Sequence, residues 1–202
     1  MVIARKQDTV IKGKQKTAGS FSDATVALKI TNRFLEIANR HSTMRPLLDS
    51  FAAEIKAVTG CEAVGIRVLD EQGNIPYQSI TGFSPEFYHE ENELSVHKDS
   101  CVCVDIINGN KKPHLQPYYT EYGSFCMDSI TRHRANHPKP SNHQPGRGAC
   151  LVFDYDTLVL IPILQGERVL GLIHLVDSRA DMLSMAMVQL LEKVALQLGT
   201  AL

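Results

Sequence analysis

Four of the five cysteines fall between residues 101 and 150: Cys101-Val102-Cys103, Cys126, and Cys150 just after Gly146-Arg147-Gly148. Thiolates are soft ligands that suit zinc, copper(I) or iron–sulfur clusters. Four sulfurs, or three and an imidazole, would complete a tetrahedral site. Cys101, Cys103, Cys126 and Cys150 are therefore the candidate metal ligands, with zinc or an iron–sulfur cluster as the cofactor they would hold. The C-x-C spacing is not the usual zinc or ferredoxin spacing, so two other chemistries stay open. Accessible thiols of lowered pKa could report redox state. Buried thiols could simply pack as small apolar side chains. Cys61 stands apart at a helix-to-strand junction and reads as structural.

The histidines form a second set. His133, His137 and His143 lie near Cys126 and Cys150. The first two are spaced i, i+4, but Pro138 makes a helical His137 unfavourable, and exposed loop positions explain all three. His97 and His114 flank the C-x-C segment. His174 sits inside an apolar strand, either as a core histidine with one bonded nitrogen or as a pocket ligand. Arg147 between two glycines can meet an anion, although no complete phosphate loop surrounds it. Tyr119 and Phe125 belong to an aromatic run that either packs an irregular segment or lines a pocket. Arg147, His174, Tyr119 and Phe125 are the candidate ligand-binding residues.

The positioning elements centre on Leu158 to Asp177. Two apolar strands, Leu158–Leu164 and Val169–Val176, are joined by a polar turn at Gln165–Arg168 and read as buried on both faces. Pro162 implies that one side of the first strand lacks a neighbour there. Gly171 implies a close backbone approach. Ahead of this hairpin, Ser22-Asp23 caps a helix to Arg40 with Ala27, Ile30, Phe34, Ile37 and Ala38 on one stripe. A second helix runs from Thr43 to Gly60 with Leu47, Leu48, Phe51, Ile55 and Val58 inward. Cys61–Leu69 and Pro76–Thr81 are strands, and Ser84-Pro85-Glu86 opens a short helix. Ser100–Ile107 reads as a short helix, Lys111–Thr120 as irregular, Ser124–Arg134 as helical, and Asn136–Gly148 as a long loop of the kind that is usually functional. A final helix carries Val188, Leu191, Ala195, Leu198 and Leu202, widened by Leu190 and Val194. That width suits a helix pairing with a partner helix, or one docked on its own domain. The order predicts an α+β fold: an antiparallel sheet with helices mainly on one face.

Composition excludes several classes. At 202 residues, 44% hydrophobic and 21% charged with net charge −1, the chain reads as globular, with no bulk attraction to nucleic acid or acidic membranes. No apolar run is long enough to span a membrane. Residues 1–20 carry Arg5, Lys6, Lys12, Lys14 and Lys16 without periodicity or interleaved aromatics, and read as a basic arm or linker without specific nucleic-acid binding. They lack the apolar run of a secretory signal. Odd, unevenly spaced cysteines without an export signal point to a cytoplasmic protein with reduced thiols.

From about residue 25 onward the chain resembles a GAF domain. The resemblance rests on RPLLDSFAAEIKAVTGCEAVGIRVLD and on LVLIPILQGERVLGLIHLVD followed by an amphipathic helix. It implies residues 21–202 as one domain, with the N- and C-terminal helices packed together. More narrowly, Cys101-Val102-Cys103, Cys150 and LQPYYTEYGSF resemble GAF domains upstream of PAS and histidine-kinase modules in bacterial sensors. Cys126 departs from that pattern. The 202 residues carry no kinase core, so the resemblance implies a sensor module. Such a module would bind a small molecule or metal near the cysteines and signal through its terminal helices, as a homodimer, to a histidine kinase or other output domain. GAF-fold free-methionine-(R)-sulfoxide reductases imply an alternative enzyme reading, with Cys150 as nucleophile and Cys101 or Cys103 resolving the intermediate as a disulfide.

Overall fold

The computed structural model describes residues 18–136 and 153–202. Five strands form one antiparallel sheet in the order β2-β1-β5-β4-β3. They are β1 (Ala63–Val68), β2 (Tyr77–Thr81), β3 (Phe125–Met127), β4 (Thr157–Gln165) and β5 (Arg168–Asp177). The β4–β5 hairpin is central, and most of its residues are buried. Its near-continuous apolar sequence has a direct cause: both faces of the sheet are covered.

Strand alternation divides the core into two. Val159, Ile161, Ile163, Ile173 and Leu175 face the helical layer. That layer comprises α1 (Ala18–Arg40), α2 (Met44–Thr59) and α6 (Met185–Ala201). Helix α1 packs on α2 and α6, α2 on β1 and β2, and α6 on β4. The terminal helices therefore pack together, as the GAF resemblance implies. Leu158, Leu160, Leu172 and Val176 face the other way, toward α3 (Pro85–Glu91), α4 (Val102–Ile107), a 3-10 helix at Pro113–Tyr118 and α5 (Ile130–Asn136).

The two irregularities expected in the hairpin are present. Pro162 pairs with Leu172 on one side, while β3 reaches only to Leu160 on the other, so the missing N–H of proline leaves no ladder bond unmade. A Cβ on Gly171 would run into the Arg67 carbonyl of β1, so only glycine permits this strand spacing.

Three segments differ from expectation. Helix α1 begins at Ala18, ahead of Ser22. Lys111–Thr120 is not wholly irregular: Pro113 starts a 3-10 helix, which tolerates Pro117 because its turns are short. Ser124–Arg134 is not one helix. Phe125–Met127 pairs with Leu158–Leu160 as an edge strand. The helix then starts after Ser129, whose Oγ accepts from Arg132 N at 3.1 Å, with Asp156 accepting from Thr131 N at 2.7 Å. The expected long loop falls outside the described residues from residue 137 onward.

Candidate ligand-binding site

On the face opposite the long helices, three polar side chains lie within the apolar layer: Arg67, Tyr77 and His174. Arg67 and His174 are both 0% exposed. Gly65 pairs with His174 across β1 and β5. A side chain at Gly65 would collide with the Tyr77 ring, so the glycine makes the space in which that ring lies over the sheet. From there Tyr77 Oη sits 2.7 Å from His174 Nδ1. The Tyr77 ring also lies beneath the Arg67 guanidinium, 3.6 Å from its carbon, a close cation–π arrangement.

Arg67 is held by carbonyls. One terminal nitrogen donates to Ile75 O at 2.6 Å and the other to Glu91 O at 2.5 Å. The Glu91 carboxylate stands 3.9 Å away. Its Nε has no partner among the described residues, and neither does His174 Nε2. A buried polar atom without a partner is costly, and these two lie on the neighbouring strands β1 and β5, which marks a site. Burial, followed by the charge of Arg67, lowers the His174 pKa to about 3. The ring is therefore neutral at physiological pH and offers a hydrogen bond rather than a charge.

An aromatic group surrounds the imidazole. Its centroid is 6.1 Å from Tyr77, 5.4 Å from Phe83 and 6.1 Å from Phe87. Phe153 and Tyr155 pack edge-on against Phe87 at 5.2 and 5.7 Å. Phe153 immediately follows residues 137–152, so the segment carrying Arg147 and Cys150 leads into this group. Arg147 and Cys150 themselves lie outside the described residues, as do His137 and His143.

Cys101 and Cys103 are buried on this same face. Cys101 lies close enough to His174, and Cys103 to Arg67, to interact electrostatically. Cys126 is not with them. Alternation along β3 sends Phe125 and Met127 to this face and Cys126 to the helical side. Its thiol is pushed up to about 12 by burial, then by Glu192 and Asp128, which disfavours the thiolate a metal requires. Among the described residues no group of three His, Cys, Asp or Glu side chains could hold a metal ion. Cys126 is therefore not brought together with Cys101 and Cys103, and these three described cysteines do not share one metal centre; Cys150 lies outside the described residues.

The other candidates are distributed. Phe125 is buried on the His174 face, 5.3 Å from Tyr119. Tyr119 is half-buried and lines two cavities away from His174. His133 bonds Tyr118 Oη through Nδ1 at 2.8 Å. His97 and His114 are exposed, and Cys61 is buried in the helix-side core. The sequence reading missed Arg67 and Tyr77. The signal was present: Arg67 is a charge inside an otherwise apolar strand.

The GAF domain family model matches residues 43–202. The chain belongs to the GAF family. No curated protein matches the sequence significantly. Several solved GAF-fold structures are similar. The GAF domain of an Acinetobacter phosphoenolpyruvate-protein phosphotransferase has 14% identity and TM-score 0.62, covering 87% of this chain and 92% of that one. Free methionine-R-sulfoxide reductase from Neisseria meningitidis, solved with its substrate, has 12% identity and TM-score 0.63, covering 88% and 89%. A domain of a putative two-component sensor histidine kinase from Sinorhizobium meliloti 1021 has 12% identity and TM-score 0.54, covering 80% and 91%. At these identities the likeness concerns the fold. At family level, a GAF domain is a sensory or ligand-binding module. No helix among the described residues is long and apolar enough to cross a membrane.

Proposed function

We propose that this GAF domain, spanning residues 21–202 behind a basic arm, is a sensor. It binds a small organic molecule against His174 and signals through α1 and α6. The observation that carries the reading is the fully buried, neutral His174, with Nε2 unpartnered among the described residues beneath an aromatic group. A ligand with a flat apolar body would stack on Phe83 and Phe87, and a hydrogen-bonding group on it would satisfy His174 Nε2 and Arg67 Nε. A net anion or neutral dipole suits this site better than a cation, because Arg67 already places a positive charge there. The cytoplasmic homodimer and the histidine kinase or other output partner belong to the same reading. Exposed Leu28 and Leu35 on α1 and Leu196 on α6 support the dimer.

The test is a thermal-shift screen of aromatic heterocycles and amino-acid derivatives, with free methionine sulfoxide included. A ligand of this site raises the Tm of the wild-type protein and not of folded His174→Gln. Hits equally strong in His174→Gln and Phe83→Ala would overturn the assignment.

A second reading is thiol reduction of free methionine sulfoxide. It is supported by the burial of Cys101 and Cys103 on the His174 face. In it, Cys150 attacks the sulfoxide sulfur, and Cys101 or Cys103 closes a disulfide. One sulfoxide and two thiols give methionine, disulfide and water. Lack of turnover by the reduced protein with excess dithiothreitol removes this reading.

A further inference from the structure

A groove of about 740 Å³ opens between the Pro117–Tyr122 segment and the first half of α6. It lies by Cys126 at the β3 edge of the sheet, where Tyr118 and Tyr119 pack on the His174-side core and Tyr122 on the helical side. Tyr118, Tyr122 and Met185 line it, together with three carboxyl-bearing residues: the exposed Glu121 and Asp128 and the nearly buried Glu192. Glu192 is only 8% exposed. One of its oxygens accepts from Thr120 Oγ1 at 2.6 Å. Its other oxygen has no partner among the described residues, and no described ion pair reaches Glu192 or Asp128. Arg132 offsets part of the Asp128 charge, but its hydrogen bonds go to Asp181 at 3.3 and 2.8 Å. Among the described residues no lysine or arginine lines the groove. The Glu192 charge is felt locally: Tyr122 and Cys126 are both held up to about 12, by burial first and Glu192 second.

A nearly buried carboxylate without a counterion is costly to maintain unless something supplies the charge. Electron-rich phenol rings beside it favour a cation with some apolar body. We propose that this groove is a second ligand site, which takes a small organic cation: an alkylammonium or guanidinium group on a short carbon stem. The charge pairs with Glu192 and Asp128, and the stem lies against Tyr118, Tyr122 and Met185. The site is separate from the one at His174 and does not depend on it.

The test is calorimetric titration with butylguanidinium and butylammonium, using neutral butylurea as the control at matched ionic strength. Both cations bind saturably, butylurea does not, and Glu192→Gln weakens binding about tenfold or more. His174→Gln binds them as the wild type does. Asp128→Asn, at an exposed position, gives a smaller loss in the same direction and serves if Glu192→Gln does not fold. Absence of saturable binding, equal binding of butylurea, or full affinity in folded Glu192→Gln would each overturn the proposal.

Discussion

His174 is a base that the fold keeps from taking up its proton. Its pKa is lowered to about 3 in the folded protein, against about 6.5 in an unfolded chain. Between those values the unfolded state binds one more proton, so stability rises with pH. The contribution is complete above about pH 6.5 and is lost at about 1.4 kcal/mol per pH unit as the pH falls below that. Urea unfolding between pH 4.5 and 7 should show this slope, and His174→Gln should lack it. Asp156 and Asp177 are held below the usual carboxylate range by their hydrogen bonds. Their contributions fall away at lower pH than that of His174 and so do not mask it. At this scale the sequence was informative about His174, while the signal at Arg67, a charge in an apolar strand, was ambiguous. A charge in a six-residue strand reads as a solvent-facing position. Only the fold reveals that Ile75, ahead of β2, and Glu91, at the end of α3, offer carbonyls to the guanidinium on that face.

Strand β5 is positioned by its glycine. Gly171→Ala would push a methyl group into the Arg67 carbonyl, parting β1 from β5 where Arg67 must be held. Overpacking of this kind costs about 1–3 kcal/mol. The expected result is a lower urea midpoint at unchanged slope, together with weaker binding of any His174-dependent ligand. The hairpin, α2 and α6 were legible because each is a long apolar pattern with one period. Strand β3 was not, because three residues carry no period. Its register comes from pairing with β4, a long-range contact that local pattern does not encode. The same blindness caused the grouping of Cys126 with Cys101 and Cys103. Nearness along the chain suggested a shared site, whereas the pleat of β3 turned the Cys126 side chain to the other face.

For the whole molecule, the terminal helices form the outermost layer and carry Leu28, Leu35 and Leu196 exposed. A dimer formed through them predicts that Leu35→Glu and Leu196→Glu together yield a monomer in sedimentation while the Tm changes little. A monomeric wild type would end that part of the reading.

Within β5, Ile173 and Leu175 contact the helical layer, while His174 between them faces the proposed ligand. The two sets of contacts interleave along one strand yet share no side chain. The recognition face could therefore be rewritten to suit a new analyte while every β5 residue that grips the terminal helices is left in place. For a builder of biosensors, this sheet is a panel whose front can be exchanged without rewiring its back.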